Sequence, residues 1–379
     1  MVADLSELTG FIPGTVRSLV VKVGSALLVD GDGTVRRDWL AGLVTELAAR
    51  RAAGQAIIVV SSGAIALGAR RLGLAKGGRA TLEDAQAAAA VGQIALSQVW
   101  ADLFAAHGLT AAQMLVTLGD LEDRRRYLNA SATLERLLGL GVVPVINEND
   151  SVATEEIRFG DNDRLAARIG QAARADAVLL LSDIDGLYTA NPHRHADAAH
   201  IPFVPRIDGA IAAMADADSA SGMGSGGMIS KIEAARIATG AGAHLAIVSG
   251  RVDAPLGAWA AGARGTIFKG AARRGARKDW LAGRLTVKGA IMIDAGAATA
   301  LSKGRSLLPA GVTSTSGTYA RGDVIDVMGP DGNRLARGLA EYDSADAARI
   351  IGRRSEDVAQ LLGEPGRAVL VHRNHMVLL

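Results

Sequence analysis

The chain has 379 residues, of which 49% are hydrophobic and 21% charged, and its formal net charge is +2. This length predicts two domains. The absence of cysteine excludes disulfides, thiolate metal sites and cysteine nucleophiles. The apolar runs are far shorter than the ~20 residues that span a bilayer, and no basic leader precedes an apolar segment. We therefore expect a cytoplasmic protein without a membrane segment.

Residues 1–17 are weakly patterned and predict a mobile lead-in. From residue 18 to 277, short apolar runs alternate with alanine-rich stretches of helical length. The runs are Leu19–Val23, Ile57–Val60, Val142–Ile146, Val178–Leu181 and Leu245–Val248. The stretches include Trp39–Ala53, Leu82–Ala106 and Ala130–Leu138. This alternation predicts an α/β fold, a three-layer αβα sandwich around a mainly parallel sheet.

Residues 278–379 have a different texture, with short strands, glycine turns and small helices. They predict a second, β-rich domain, reached through a short basic linker over residues 271–278. The basic residues of the chain are scattered, which is typical of a solvated surface, so nucleic acid is not expected as a partner.

Only seven lysines occur in the chain, and two of them, Lys22 and Lys231, are candidates for contact with an anion. Lys22 lies between Val21 and Val23 near the end of the first strand, and Gly24 and Ser25 follow that strand. A lysine inside a buried strand is costly unless it meets an anion, although an edge strand with Lys22 reaching water is the alternative. The second lysine, Lys231, closes the segment "SGMGSGGMISK" and precedes a helix. Its glycines could cradle phosphate, or the segment could be a flexible linker.

Polar side chains follow three other strands, at the edge where ligands bind in open α/β sheets. Ser61 and Ser62 precede a helix and could hold an anion or simply cap that helix. Ser182 and Asp183 end the fourth strand. The segment 147–163 contains Asn147, Glu148, Asn149, Asp150, Asp161, Asn162 and Asp163. It could be a solvated turn, a metal site, or a site that binds an ammonium group and orders lysines.

Taken in order, these motifs resemble the amino acid kinase family. The segments that carry the resemblance are "VVKVGSALL", "VSSGAIALG", "VGQ", "VPVINENDSVA", "GDNDRLAA", "LLLSDIDGLYTANP" and "SGMGSGGMISK". The C-terminal region resembles a PUA domain, a pseudobarrel. The resemblance implies that the chain phosphorylates the side-chain carboxylate of L-glutamate with ATP, in the first step of proline biosynthesis. It also implies Mg²⁺ bound mainly through the nucleotide phosphates, a homo-oligomer, and functional coupling to the reductase that uses the product.

Carried over position by position, the resemblance implies three sets of site residues. ATP would contact Lys22, Ser182, Asp183, Ser225, Gly226, Gly227, Met228, Ile229, Ser230 and Lys231. Glutamate would contact Ser62, Asp150 and Asn162. The catalytic residues would be Lys22, Lys231, Asp161 and Asp163, with the aspartates ordering the lysines. Ser182 departs from the family pattern, where threonine is expected, but it keeps the hydroxyl.

Two other functions remain open from the sequence. One is a kinase of the same fold with a different carboxylate, carbamate or phosphate acceptor. The other is an RNA-binding protein whose kinase-like half is vestigial. Against the second, aromatic residues are only 3% of the chain, and the tail lacks a dense basic face interleaved with them.

Overall fold

The computed structural model describes residues 9–31, 33–152, 162–192, 194–216, 227–271, 287–362 and 369–378. The chain divides into two compact units. The first comprises Met1–Glu122 and Asn129–Arg273, and the second comprises Asp123–Leu128 and Arg274–Leu379. The division predicted from the sequence, between residues 277 and 278, did not place Asp123–Leu128 in the second unit. Most of the predicted basic linker over residues 271–278 lies outside the described residues.

The first unit is built on a large, mainly parallel sheet. Its strands are β1 (Ser18–Val23), β2 (Ala56–Ser61), β3 (Ala111–Val116), β4 (Val143–Glu148), β5 (Ala177–Ser182), β6 (Leu187–Tyr188), β7 (His200–Ile201), β8 (Phe203–Val204), β9 (His244–Ser249) and β10 (Gly265–Phe268). Eight of them form one sheet in the order β3-β4-β2-β1-β5-β9-β10-β8, and β6 and β7 pair separately. Within the large sheet the β9–β10 pair is antiparallel and the other pairs are parallel.

The five predicted strands correspond to β1, β2, β4, β5 and β9, and the predicted sandwich with a mainly parallel sheet is confirmed. Strand β1 pairs with β2 on one side and β5 on the other, so the interpretation of β1 as an edge strand is wrong. Its apolar side chains are buried on both faces of the sheet. The carboxyl ends of the central strands therefore meet along one edge, where the polar side chains follow.

Helices connect and cover these strands. Those of the first unit are α1 (Ser25–Leu28), α2 (Arg37–Ala52), α3 (Ala64–Leu72), α4 (Leu82–Ala105), α5 (Leu118–Glu122), α6 (Arg124–Gly139), α7 (Asn162–Ala173), α8 (Gly209–Asp216), α9 (Met228–Gly240) and α10 (Pro255–Ala260). The residues Arg124–Leu128 of α6 are assigned to the second unit. The three predicted helices correspond to α2, α4 and α6, and α6 begins six residues before the predicted start at Ala130.

Residues 9–17 differ from the predicted mobile lead-in. Phe11 and Val16 are buried in the core of the first unit, and Phe11 lies edge-on to Trp259 with ring centroids 5.0 Å apart. Arg50 donates hydrogen bonds to the carbonyls of Gly10 and Phe11 at 2.8 and 2.9 Å. Because burying two large apolar side chains is favourable by several kcal/mol, this segment is part of the domain.

The second unit contains the predicted β-rich domain. Its strands are β11 (Gly289–Ile293), β12 (Val312–Gly317), β13 (Val324–Met328), β14 (Arg334–Leu339) and β15 (Met376–Leu378), and its helices are α11 (Ala295–Ser302), α12 (Ser344–Ile350) and α13 (Ser355–Leu362). The strands form one sheet in the order β12-β11-β13-β14-β15. Alternate residues of β11 and β13, with α12 and Leu370, build a separate apolar core.

Candidate active site

Lys22 lies in the centre of the sheet of the first unit, near the carboxyl end of β1. Its side chain is 12% exposed, and Nζ lies 2.7 Å from Oδ1 of Asp163. A buried ammonium group without a partner would cost several kcal/mol, so this ion pair explains how the strand tolerates a lysine.

Lys231 reaches the same carboxylate from the other end of the domain's sequence. It lies in the first turn of α9, a helix whose N-cap residue, Gly227, provides no side-chain cap. Lys231 Nζ donates a hydrogen bond to Oδ2 of Asp163 at 3.0 Å. The two ammonium groups therefore occupy the two oxygens of one carboxylate. We call this arrangement of Lys22, Lys231 and Asp163 the lysine pair.

The charge of Asp163 is fixed by this environment. The residue begins α7 together with Asn162, and its side chain is 2% exposed. Burial alone would raise the pKa of Asp163, but the ammonium groups of Lys22 and Lys231 outweigh it, and the pKa lies below its ordinary value. Asp163 is therefore an anion throughout the neutral range, and it holds two cations close together that would otherwise repel each other.

A network of neutral amides lies beside the lysine pair, because Asn162 directly precedes Asp163. The Nδ2 group of Asn162 contacts Ser62 Oγ at 2.6 Å, the carbonyl of Ser61 at 3.1 Å and Oδ1 of Asn147 at 3.3 Å. Asn147 Nδ2 in turn donates to Oε1 of Gln93 at 2.7 Å. We call Gln93, Asn147, Asn162 and Ser62 the amide network.

The amide network leaves one strong acceptor without a donor. Asn162 is 6% exposed, and its Oδ1 makes no hydrogen bond within the part of the chain that the structure describes. An unsatisfied buried oxygen costs about 1–3 kcal/mol, so this atom is a candidate acceptor for a donor group of a bound molecule.

Backbone geometry places Ser62 at the start of α3. Gly63 has φ +102°, a left-handed conformation that suits glycine, and a Cβ there would crowd Cγ2 of Val29 at 3.2 Å. Ser61 is held in place, because its Oγ accepts a hydrogen bond from the indole N–H of the buried Trp100 at 2.9 Å. The serine pair is therefore held rigidly next to Asn162.

Asp150 lines a cavity of roughly 340 Å³ between α4 and the carboxyl ends of β3 and β4. The lining residues are Ala89, Ala90, Gln93, Ile94, Ser97, Gln113, Leu115, Glu148, Asn149, Asp150 and Ser151. Burial raises the pKa of Asp150 to about 6, and the positive charge of Arg79 opposes that rise. A partly buried carboxylate with a raised pKa, in a cavity, is typical of a ligand site.

Ser182 and Asp183 lie at the end of β5, next in the sheet to β1. Ser182 Oγ donates to Oδ1 of Asp183 at 3.1 Å, and Arg251 Nη2 lies 3.9 Å from the other carboxylate oxygen. Asp183 is largely exposed, so these contacts leave it open to a ligand.

The structure thus brings Lys22, Lys231 and Asp163 together, and joins Ser62 to Asn162. Gly227, Met228, Ile229 and Ser230 precede Lys231 at the start of α9. The predicted site residues Asp161, Ser225 and Gly226 lie outside the described residues.

Sequence reasoning missed Arg79, Trp100 and Gln113 as parts of this region, and gave no role to Gln93. Only the "VGQ" motif drew attention to Gln93. Within the described ranges, no group of three or more His, Cys, Asp or Glu side chains could hold a metal ion, and no helix has the length and apolar character of a membrane span.

Comparison with known proteins defines the class. The model of the amino acid kinase family matches residues 17–249, and that of the PUA domain matches residues 289–362. The chain belongs to the amino acid kinase family and carries a PUA domain, so both predictions from the sequence motifs are confirmed.

Curated relatives narrow this class further. The chain is 66% identical to a protein named glutamate 5-kinase from Sphingopyxis alaskensis, over 97% of this chain and 99% of that one. It is 61% identical to the glutamate 5-kinase of Novosphingobium aromaticivorans, over the full length of both, and 60% identical to that of Zymomonas mobilis, over 97% and 93%. Among solved structures, one of isopentenyl phosphate kinase aligns with a TM-score of 0.44 and 19% identity, covering 66% of this chain and all of that chain.

Proposed function

We propose that this chain transfers the γ-phosphoryl group of ATP to the side-chain carboxylate of L-glutamate, forming L-glutamyl 5-phosphate, the first intermediate of proline biosynthesis. The names of the relatives support the substrate, and the family supports the use of ATP. The observation that carries the proposal is the lysine pair, with two buried ammonium groups held beside the amide network.

The chemistry of the acceptor explains what the site contains. A glutamate side chain, with a reference pKa near 4.3, is already ionised at pH 7 and needs no general base to attack phosphorus. One carboxylate oxygen forms a bond to the γ-phosphorus while the bond from that phosphorus to the bridging oxygen breaks, and ADP leaves with the electron pair. The barrier is the approach of one anion to another, so the protein must supply positive charge and alignment.

Lys22 and Lys231 would supply that charge at the triphosphate. The start of α9, from Gly227 to Ser230, offers backbone N–H groups without a side-chain cap, which would also contact phosphate. Ser182 and Asp183 would contact the nucleotide from the neighbouring strand. Mg²⁺ would arrive bound to the phosphate oxygens and would neutralise part of their charge. The paired ammonium groups fit a polyanion of this kind.

The amino acid would bind at the amide network and the adjoining cavity. Asp150 would pair with the α-ammonium group, and the unpaired Oδ1 of Asn162 would accept a hydrogen bond from it. Ser62 would hold the amide of Asn162 in place. Asp163, and by the family resemblance Asp161, would order the lysines. A homo-oligomer, a cytoplasmic location and coupling to the reductase that consumes the product remain predictions.

The direct test is ADP release by the purified protein with Mg-ATP and a panel of amino acids, with hydroxylamine present to trap an acyl phosphate. We expect ADP and hydroxamate in equal amounts with L-glutamate. D-Glutamate, L-aspartate, L-glutamine and carbamate serve as controls. Hydroxamate with another acceptor, or ADP without hydroxamate, would contradict the proposed acceptor.

A further inference from the structure

Gln93 is the residue of the "VGQ" motif for which the proposed function gives no role. It lies in α4, half-buried, at the boundary between the cavity that Asp150 lines and the amide network. Its Oε1 accepts the hydrogen bond from Asn147 Nδ2 at 2.7 Å. The contact is short and well within hydrogen-bond range, so it fixes both side chains.

The direction of this hydrogen bond follows from a backbone group. The N–H of Glu148 can only donate, and it contacts Asn147 Oδ1 at 2.9 Å. Asn147 must therefore turn its oxygen toward Glu148 and its Nδ2 toward Gln93. Consequently Gln93 has to present an acceptor, its Oε1, to Asn147.

The direction of the hydrogen bond between Asn162 and Asn147 agrees with this arrangement. Because Asn147 presents Oδ1, it can accept from Asn162 Nδ2, which is also fixed by the carbonyl of Ser61 and by Ser62. The amide of Asn162 is then turned so that Oδ1 is the atom left buried and without a donor. Three amides thus form a chain of hydrogen bonds, whose direction is set by the N–H of Glu148 at Asn147 and by the carbonyl of Ser61 at Asn162.

The glycine before Gln93 explains why α4 comes close enough to take part. A Cβ on Gly92 would overlap the carbonyl oxygen of Ala64 in the first turn of α3. Gly92 therefore lets α4 pack directly against the helix that follows Ser62. The next residue, Gln93, carries the amide side chain. Its hydrogen bond with Asn147 connects α4 to the end of β4.

We propose that Gln93 is a positioning residue for the amino-acid substrate, which holds the side chain of Asn147 in place and, through it, the position of Asn162 beside the substrate's ammonium group. The inference rests on the proposed function and adds a specificity element to the same site. Gln93 acts on the acceptor substrate and not on the phosphates, because its hydrogen bond is to the neutral amides and not to the lysine pair.

The test compares two substitutions of Gln93 with the same substitutions of Gln98. Gln93→Leu removes the hydrogen-bond acceptor. Gln93→Asn keeps an amide, but the side chain is one methylene shorter and cannot reach Asn147 in the same way. If one variant fails to fold, the other still gives a measurement. Gln98 lies in the same helix, is exposed and bonds only to Asp102 among the described residues. We expect the KM for glutamate to rise about 10-fold in the Gln93 variants, with kcat and the KM for ATP within about twofold, and no change in the Gln98 variants.

A double-mutant cycle separates positioning from a merely structural effect. If Gln93 acts through Asn162, the KM for glutamate of the Gln93→Asn, Asn162→Ala double variant equals that of Asn162→Ala alone. Multiplied effects, an unchanged KM in the Gln93 variants, or a parallel rise in the KM for ATP would overturn the inference. Failure of the wild-type protein to form hydroxamate with glutamate would instead overturn the proposed function, so the two failures are distinct.

Discussion

The lysine pair and the amide network are adjacent, because Asn162 and Asp163 are neighbours in the chain. They differ in their chemistry, since one consists of charged groups and the other of neutral groups. The lysine pair consists of three full charges, nearly removed from water and compensated within one carboxylate. The amide network is neutral, and its order comes from the direction of each hydrogen bond. Charge is suited to a group that carries several negative charges, whereas oriented amides are suited to recognising shape and the positions of donors.

This contrast predicts a division of kinetic roles. Changes in the lysine pair should act on the chemical step, since charge develops there during phosphoryl transfer. Changes in the amide network and at Asp150 should act on the binding of the amino acid. Substitutions in the two regions can test whether that division holds.

The largest effect is expected for Asp163→Asn. The substitution leaves the two ammonium groups without a counter-charge, so their mutual repulsion is no longer compensated. We expect kcat to fall by on the order of 10²–10³, with the KM for glutamate changed less than threefold, in steady-state assays.

Asp176→Asn is the matched control. Asp176 accepts hydrogen bonds from the backbone N–H groups of Arg17 and Ser18 at the start of β1, the end of the strand away from Lys22. Its loss should lower Tm and leave kcat unchanged. If Asp163→Asn raises the KM values and spares kcat, the assigned role of the lysine pair is wrong.

Asp150→Asn should show the opposite pattern. A hydrogen bond to a charged group contributes about 1.5–3 kcal/mol, so its loss should raise the KM for glutamate by about 10- to 100-fold. The kcat value at saturating glutamate should change little, because the lysine pair is intact. Isothermal titration with glutamate would check the same loss of affinity without turnover. An unchanged KM would remove Asp150 from the amino-acid site.

The pH dependence follows from the raised pKa of Asp150. With that pKa at about 6, Asp150 is mostly ionised at pH 7.5 and mostly protonated at pH 5. A protonated Asp150 cannot form an ion pair with an ammonium group, so kcat/KM for glutamate should fall about tenfold per pH unit below pH 6. The pKa of Asp163 lies below its ordinary value, so Asp163 stays ionised in this range.

In Asp150→Asn the decline of kcat/KM below pH 6 should disappear. The same shift has a consequence for stability. The folded protein holds the Asp150 proton up to a higher pH than the unfolded chain, so this group's contribution to the free energy of unfolding decreases as pH rises from about 4 to 6. Retention of the decline in the variant would assign it to another group.

The smallest effect is expected for Ser62→Ala. The hydroxyl oxygen is one of three acceptors near Asn162 Nδ2, and the carbonyl of Ser61 remains after the substitution. We expect the KM for glutamate to rise about fivefold and kcat to stay within twofold. A 100-fold loss of kcat would indicate that Ser62 takes part in the chemical step.

The sequence predicted the buried centre of the fold well, because β1, β2, β4, β5 and β9 are nearly continuous apolar runs. It did not predict β3, at the sheet edge, where several side chains, including Gln113 and Leu115, are partly or largely exposed and no apolar run stands out. Phe11 and Val16 were also missed, since isolated apolar residues among glycine and proline have no periodicity.

The site shows the same limit. Lysines in glycine-rich settings and a dense acidic loop indicated the lysine pair before its geometry was known. Gln93 lies more than fifty residues from Asn147 in sequence, and its contact depends on the close packing of α3 and α4 at Gly92. A local sequence pattern does not predict a tertiary contact of this kind, although the "VGQ" motif includes Gln93.

In the proposed mechanism, Lys22 and Lys231 act together on one triphosphate beside a bound amino acid. A crystal structure with a non-hydrolysable ATP analogue, Mg²⁺ and L-glutamate would test this arrangement. We expect both Nζ atoms within hydrogen-bond distance of β- or γ-phosphate oxygens, and the glutamate side-chain carboxylate facing the γ-phosphorus. A complex in which either lysine contacts no phosphate oxygen, or in which glutamate binds away from Asn162, would contradict it.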